Sequence, residues 1–455
     1  MAEVVLMELI LPDEEAPVIK PPPPPPNEEA PINPKKEVEE EEALRGVDDE
    51  GYREAFRRRL MLGLLIGVIT GLMGTAYRLL FESALLVWRY PGVPPAMLTT
   101  AFGFAVGLSL RAMGQPTANL PGLVHHFHAN KGYLSCSVFR TFRIAIVSTL
   151  SIAGAGSLGP EAPLVSMGGG AASYAWQRLG HPDDTTVATL CGMAAGLGAF
   201  FGDPVGGAFF ALEVVHRHGL EFWEAIVPAI FASIASHLVY RASAPSLCWH
   251  FPAAETTSVY VCFLGVATGL AGGAIGSLWI RALRVLKRFE LPTVSKATLG
   301  GLLIGALGST APSTLFWGEH EINALLGGDL PRVDLPSPDS PRALIYAGFV
   351  KLVLILVTVL AGYRGGFIFP FMFSGIAIGA GVARLLGLTV VAHVALSLAA
   401  AINTAATRTV FATPFVLVTL SNRPDTLLTC LVASVVSLVL TADVAVITDA
   451  RARWD

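Results

Sequence analysis

The chain predicts an all-α polytopic membrane protein, built as two inverted repeats from broken and re-entrant helices. Three observations carry that prediction. Hydrophobic residues make up 53% of the 455 positions and charged residues only 15%, with a mean hydropathy of +0.59; a soluble chain of this length needs more charge on its surface. Apolar runs of membrane-spanning character recur from about Leu60 to Val446. Finally, one interrupted pattern occurs twice. Gly159-Pro160-Glu161-Ala162-Pro163 is followed by Gly168, and Gly366-Phe367-Ile368-Phe369-Pro370 by Gly375, so both stretches read G-x-x-x-P-x-x-x-x-G. A Gly/Pro break at corresponding places in two halves, approximately 60–240 and 257–447, marks a midplane substrate site between inverted repeats.

Residues 1–50 are compositionally distinct from the 51–455 membrane domain. Pro21 to Pro26 is a polyproline run, and Glu37 and Glu39 to Glu42 form an acidic block, so a disordered or polyproline-like cytoplasmic tail is expected. It has neither the basic start nor the apolar core of a signal peptide. Arg53, Arg57, Arg58 and Arg59 precede the first span, and Arg451 and Arg453 follow the last. By the positive-inside rule both termini face the cytoplasm; a plasma or inner membrane is expected, with an organelle membrane the alternative. The net charge of −4 and the absence of a basic stripe give no sign of a nucleic-acid partner.

The first apolar run, Leu60 to Trp88, exceeds a straight span at ~1.5 Å per residue across a ~30 Å hydrocarbon core, so it must tilt or break. Ala96 to about Leu110 follows. Gln115 to His128 is a polar interruption containing His125, His126 and His128; without an acidic or Cys partner these read as an interfacial cluster and not a metal site. Ile144 to Ala155 leads into the first motif, where Pro163 suits the first turn of a helix. A helix start at membrane depth aims unpaired N–H groups and a partial positive charge ahead of it. That is a place for an anion, and Glu161 is the anion the chain supplies.

Beyond the motif, Cys191 to Phe201 is small and apolar, Asp203-Pro204 breaks the chain, and Val205 to Val215 resumes it with Glu213 near its end. Two readings of Glu213 stand: a functional intramembrane acid, or one that snorkels into water. Phe222 to Val239, Val259 to Val285 and Ala297 to Ala311 are further spans, and Leu315 to Leu335 reads as a polar loop containing W-G-E-H-E. Leu344 to Leu360 leads into the second motif, after which membrane is nearly continuous to Val446. Segments too short to cross straight read as re-entrant helices buried in protein. Cys136, Cys191, Cys248, Cys262 and Cys430 show no C-x-x-C spacing and read as small apolar helix residues. No metal or other cofactor is implied.

Leu158 to Gly169, L-G-P-E-A-P-L-V-S-M-G-G, resembles the glutamate motif G-(K/R)-E-G-P of the CLC chloride channels and transporters. Gly365 to Pro370 resembles the family's second-half G-x-F-x-P motif, and Gly192 to Glu213 the segment that follows the glutamate motif. The resemblance runs from about Leu60 to Val446, with no cytosolic CBS pair after it. It implies a CLC-like fold, a homodimer with one pore per subunit, and helix N-termini meeting at a central chloride. Glu161 resembles the gating glutamate, flanked by Gly159 and Pro160. The N–H groups of Phe367 and Ile368 are expected to face the same anion.

Departures from the family pattern are as informative. The first anion motif, G-S-G-I-P, is replaced by Thr117-Ala118-Asn119-Leu120-Pro121, so Ala118 stands where a serine hydroxyl binds anion and Asn119 beside it. The family's late tyrosine falls at about Val446. The cytoplasmic proton-relay glutamate of many coupled members falls at Val214, leaving only the adjacent Glu213 as a substitute. The resemblance therefore implies transport of chloride or similar small anions, read as a gated channel with uncoupled flux. The alternative is a proton/chloride antiporter. An intramembrane enzyme or a scaffold finds no supporting constellation, since no H-E-x-x-H or Ser/His arrangement is present.

Overall fold

A computed structural model describes residues 49–89, 92–114, 119–134, 137–179, 184–216, 222–244, 248–251, 260–326 and 340–444. The expected N-terminal tail, Ala118 and Val446 lie outside the described residues. The chain divides into Met1–Ala55 and Phe56–Asp455; of the first unit only the opening of helix α1 is described.

The first half runs α1 (Asp49–Leu85), α2 (Pro95–Met113), α3 (Leu120–Ala129), α4 (Val138–Ala153), α5 (Glu161–Arg178), α6 (Thr185–Phe201), α7 (Pro204–Val215) and α8 (Ile226–Arg241). The second runs α9 (Tyr260–Leu286), α10 (Thr293–Gly308), the short α11 (Glu321–Leu325), α12 (Pro341–Leu360), α13 (Ile368–Leu385), α14 (Val391–Thr407), α15 (Ala412–Ser421) and α16 (Leu427–Leu440). Among the described residues six helices are long and apolar enough to cross a membrane, and α6, α7, α10 and α14 to α16 are shorter apolar helices. The overlong first run is one continuous helix that ends in a 3-10 turn at Leu86–Arg89.

The two halves repeat one another in their packing. α5 packs on α6, α6 on α7 and α6 on α8, while α13 packs on α14, α14 on α15 and α14 on α16. α2 packs on α10 and α7 on α15, which joins the halves. In lipid no hydrophobic force draws helices together, so close approach through small residues must do it. On α1, Gly63, Gly67 and Gly71 lie against the backbone carbonyls of Pro228, Ala232 and Ser236 on α8, and a Cβ at any of the three would collide with them.

α13 is the most enclosed candidate span, 83% buried across its apolar window, against 28–44% for the other five. It lies inside the protein and not against lipid, where an irregular start is tolerable because protein groups can satisfy its free backbone. The same holds for α5, whose Glu161 to Val165 are all buried.

One sequence expectation needs correction. The stretch from Leu315 reads as a polar loop, yet Trp317 is 1% and Glu319 7% exposed. The physical reason is a set of internal partners. The Trp317 indole donates to the Glu319 carboxylate at 2.6 Å, and the Trp249 indole donates to the Glu319 carbonyl at 3.0 Å. Lys351, wholly buried in α12, donates from Nζ to the carbonyls of Thr314 and Phe316.

Candidate functional site

The two G-x-x-x-P breaks meet. Gly159 N–H donates to the Gly366 carbonyl at 2.7 Å and Gly366 N–H returns a bond to the Gly159 carbonyl at 2.8 Å, forming an isolated antiparallel bridge. Hydroxyls satisfy backbone that the broken helices leave free: Arg364 N–H donates to Ser151 Oγ at 3.0 Å, and Ser157 N–H donates to Thr358 Oγ1 at 3.2 Å. The breaks are thus one buried, cross-linked unit from which α5 and α13 both start.

Glu161 is the first residue of α5, with Pro160 as its cap. The helix begins two residues before Pro163, whose missing N–H costs nothing in a first turn. The Glu161 side chain is 1% exposed. It reaches across to the start of α13, where its Oε1 accepts the Phe369 N–H at 3.1 Å; Oε2 is buried with no hydrogen-bond partner among the described residues. Gly159 and Gly366 wall this position, and a Cβ on either would collide with the carboxylate. Two helix N-termini therefore converge on one carboxylate in a glycine-lined hollow, each offering partial positive charge to an anion there.

Phe367 caps α13 and Ile368 is its first residue, so their N–H groups belong to the unpaired first turn. Asn119 lies at the N-cap of α3, its Oδ1 accepting the Gly122 N–H at 3.0 Å. Asn119 and Phe367 line one cavity of about 240 Å³, together with Leu158, Gly365, Lys287 and Arg364. A second cavity, of about 520 Å³, is bordered by Phe200 and Phe201, whose rings pack edge-on against Phe369 at 5.4 and 5.7 Å. Neighbours of the bridge, Leu158 and Gly365, thus border the smaller cavity, while Phe369, whose N–H holds Glu161, packs on the rings that border the larger one.

Glu213 is held elsewhere. Its carboxylate accepts the N–H groups of Val410 at 3.2 Å, Phe411 at 3.0 Å and Ala412 at 2.9 Å, capping the start of α15. Val214 beside it is fully buried. Of the histidines in α3, His126 meets the Arg140 guanidinium at 2.8 Å.

Two buried charges, Glu319 and Lys351, lie outside the motifs that the sequence singles out. The Lys351 ammonium also lies 5.0 Å from the centre of the Phe373 ring. A lone cation in the apolar stretch of α12 was the available signal, since an ionisable residue inside a span is functional or structurally engaged by default.

The family model described as "Voltage gated chloride channel" matches residues 102–442, well over half of the chain. The chain belongs to the voltage-gated chloride channel, or CLC, family. A chloride/fluoride channel protein of Pseudomonas syringae pv. tomato is 28% identical over 349 residues, covering 72% of each chain. The voltage-gated ClC-type chloride channel ClcB of Escherichia coli is 26% identical over 359 residues, covering 73% of this chain and 81% of its own. Among solved structures, a CLC-type fluoride/proton antiporter aligns with a TM-score of 0.73 at 20% identity, over 87% of this chain and 98% of that one. A slow cyanobacterial chloride/proton antiporter aligns at 0.71 and 21% identity, over 84% and 95%. At those identities the structures establish the fold: this CLC protein is a multi-pass helical membrane protein with the family's inverted-repeat architecture.

Proposed function

We propose that this CLC protein conducts a small inorganic anion, chloride or fluoride, along a path gated by Glu161, without obligatory proton exchange. The observation that carries the reading is the position of the Glu161 carboxylate, seated where α5 and α13 begin. Ionised, it occupies the place an anion would take. Protonated, it loses its attraction to the helix N-termini and leaves the site to the permeating ion. The cavity lined by Lys287, Arg364, Asn119 and Phe367 supplies an electropositive approach to the same point. Two relatives named for chloride or fluoride conduction support the choice of anion.

The uncoupled mode is supported by Glu213 and Val214. Val214 cannot bind a proton, and Glu213 is engaged as the cap of α15, so the acid that would relay protons from the cytoplasm is missing or occupied. A charge crossing the apolar interior without a relay meets a large barrier. With the N-terminal arginines in the cytoplasm, Arg78 and Glu82 near the end of α1 face the outside. The protein works as a homodimer through α7, α8, α15 and α16, whose outward Phe231, Leu238, Leu428 and Val439 are 41, 66, 56 and 61% exposed in one subunit.

Chloride and fluoride efflux from proteoliposomes, recorded together with proton movement, tests the proposal. Anion efflux well above empty vesicles with little proton movement is expected. Absence of efflux of either anion would refute conduction, and stoichiometric proton counter-transport would refute the uncoupled mode in favour of antiport.

A further inference from the structure

Glu319 is a carboxylate buried to more than nine-tenths that lines the 520 Å³ cavity. At ~30 Å³ per water that space accommodates a continuous chain of waters. The segment carrying Glu319 is rigidly placed. Phe316 and Gly318 adopt positive φ of 59° and 95°, a Cβ on Gly318 would press into the Phe373 ring, and Lys351 fixes the carbonyls of Thr314 and Phe316. Its Oε2 accepts the Trp317 indole N–H.

The charges around the cavity come from every element that borders it. Arg78 on α1 is 3.0 Å from Glu82 and 5.6 Å from the centre of the Tyr240 ring. Arg241 extends from the end of α8, and His250 and His320 come from the adjoining segments. Glu321 opens α11 and is buried. Geometry links Glu319 to the gate: the Trp249 indole, hydrogen-bonded to the Glu319 carbonyl, meets the Phe369 ring edge-on at 6.1 Å, Phe200 and Phe201 of the cavity wall pack on the same ring, and the Phe369 N–H donates to the Glu161 carboxylate.

We propose that Glu319 is a second proton-binding carboxylate, set in a water-accessible vestibule beside Glu161, through which acid on that side of the membrane controls the gate. The proposal rests on the reading of Glu161 as the gate. Hydronium protonates Glu319; when the Phe200, Phe201 and Phe369 rings part to admit water, the proton passes on to the Glu161 carboxylate, and Glu319 returns to its ionised form to be reloaded from bulk. Because two nearby carboxylates oppose each other's ionisation, removing the charge at 319 means that more acid is needed to neutralise Glu161.

Chloride flux against vestibule-side pH tests this in Glu319→Gln, which keeps an acceptor for the Trp317 indole but cannot titrate. The activation midpoint is expected to fall by about one pH unit, with Glu319→Asp retaining a response close to wild type. A Glu319→Gln profile that superimposes on wild type overturns the proposal, leaving Glu319 as an indole acceptor. If Glu319→Gln is silent, Glu161→Gln/Glu319→Gln decides. Flux equal to Glu161→Gln alone supports a gate starved of protons, and a silent double variant shows a structural role and overturns the proposal. Failure of the gate reading is separately visible, because Glu161→Gln alone would then keep its pH response.

Discussion

Gly159→Ala isolates the steric half of the gating argument. Gly159 does not adopt positive φ, so alanine suits its backbone, and the obstacle is one group: its Cβ would overlap Oε1, Oε2 and Cδ of Glu161. A flexible carboxylate gives way more readily than the bridged backbone at Gly159 and Gly366. The substitution therefore expels Glu161 from its seat and breaks the bond from the Phe369 N–H. A hydrogen bond to a charged group is worth about 1.5–3 kcal/mol, and each 1.4 kcal/mol is a factor of ten. The closed state should lose about 10-fold to 100-fold in weight, so flux at the alkaline end of the range, where an ionised carboxylate shuts the gate, rises at least several-fold and its pH dependence flattens. Chloride efflux from proteoliposomes between pH 4.5 and 7.5 measures both. Gly159→Ala/Glu161→Gln should conduct no faster than Glu161→Gln, because the two substitutions remove the same obstruction. Wild-type flux and pH profile in Gly159→Ala would show that the carboxylate does not rest against Gly159.

Other consequences follow from groups around the site. Glu213→Ala should leave the pH response of flux intact but destabilise the protein by about 1–2 kcal/mol through loss of the α15 cap; a changed pH profile with an unchanged thermal midpoint would make Glu213 a relay and not a cap. Lys351→Met should lower the thermal midpoint, because the Thr314 and Phe316 carbonyls are left buried and unsatisfied at about 1–3 kcal/mol; an unchanged midpoint contradicts the assigned role. At the interface, burial acts to raise the Asp184 carboxyl, but hydrogen bonds from Arg58 and Arg59 outweigh it and hold it below the usual aspartate range. A depressed folded-state value means stability present above the ordinary aspartate value of about 4 and lost as pH falls through the lowered one. Asp184→Asn should therefore be less stable than wild type at pH 7, with the gap closing in acid; a gap that is constant with pH rules the ion pairs out as its source.

The legible part of this molecule was the part that breaks rules of membrane sequence. A carboxylate between two prolines and a Gly/Pro break repeated in each half stand out because apolar helices need neither, and they led to Glu161 and to the meeting of α5 with α13. The spans are recognisable by length and apolarity, and Pro163 marks the first turn of α5 without fixing its first residue, because a proline is tolerated throughout that turn. The bridge between Gly159 and Gly366 was not readable, since pairing across more than two hundred positions depends on how the halves dock. The partners of Glu213, Val410 to Ala412, were not readable either, because they are distant in sequence and present only backbone. Glu319 hid in a stretch whose polarity resembled a solvent loop until Lys351, Trp249 and Trp317 folded it inward.

The most direct test of the account is the pH dependence of chloride flux through Glu161→Gln in proteoliposomes, with wild type alongside. A neutral side chain at 161 mimics the protonated gate, so the variant should conduct at every pH with a flat profile, while wild type rises as pH falls. A Glu161→Gln protein that keeps the wild-type pH dependence would place the gate on another group and contradict the central claim.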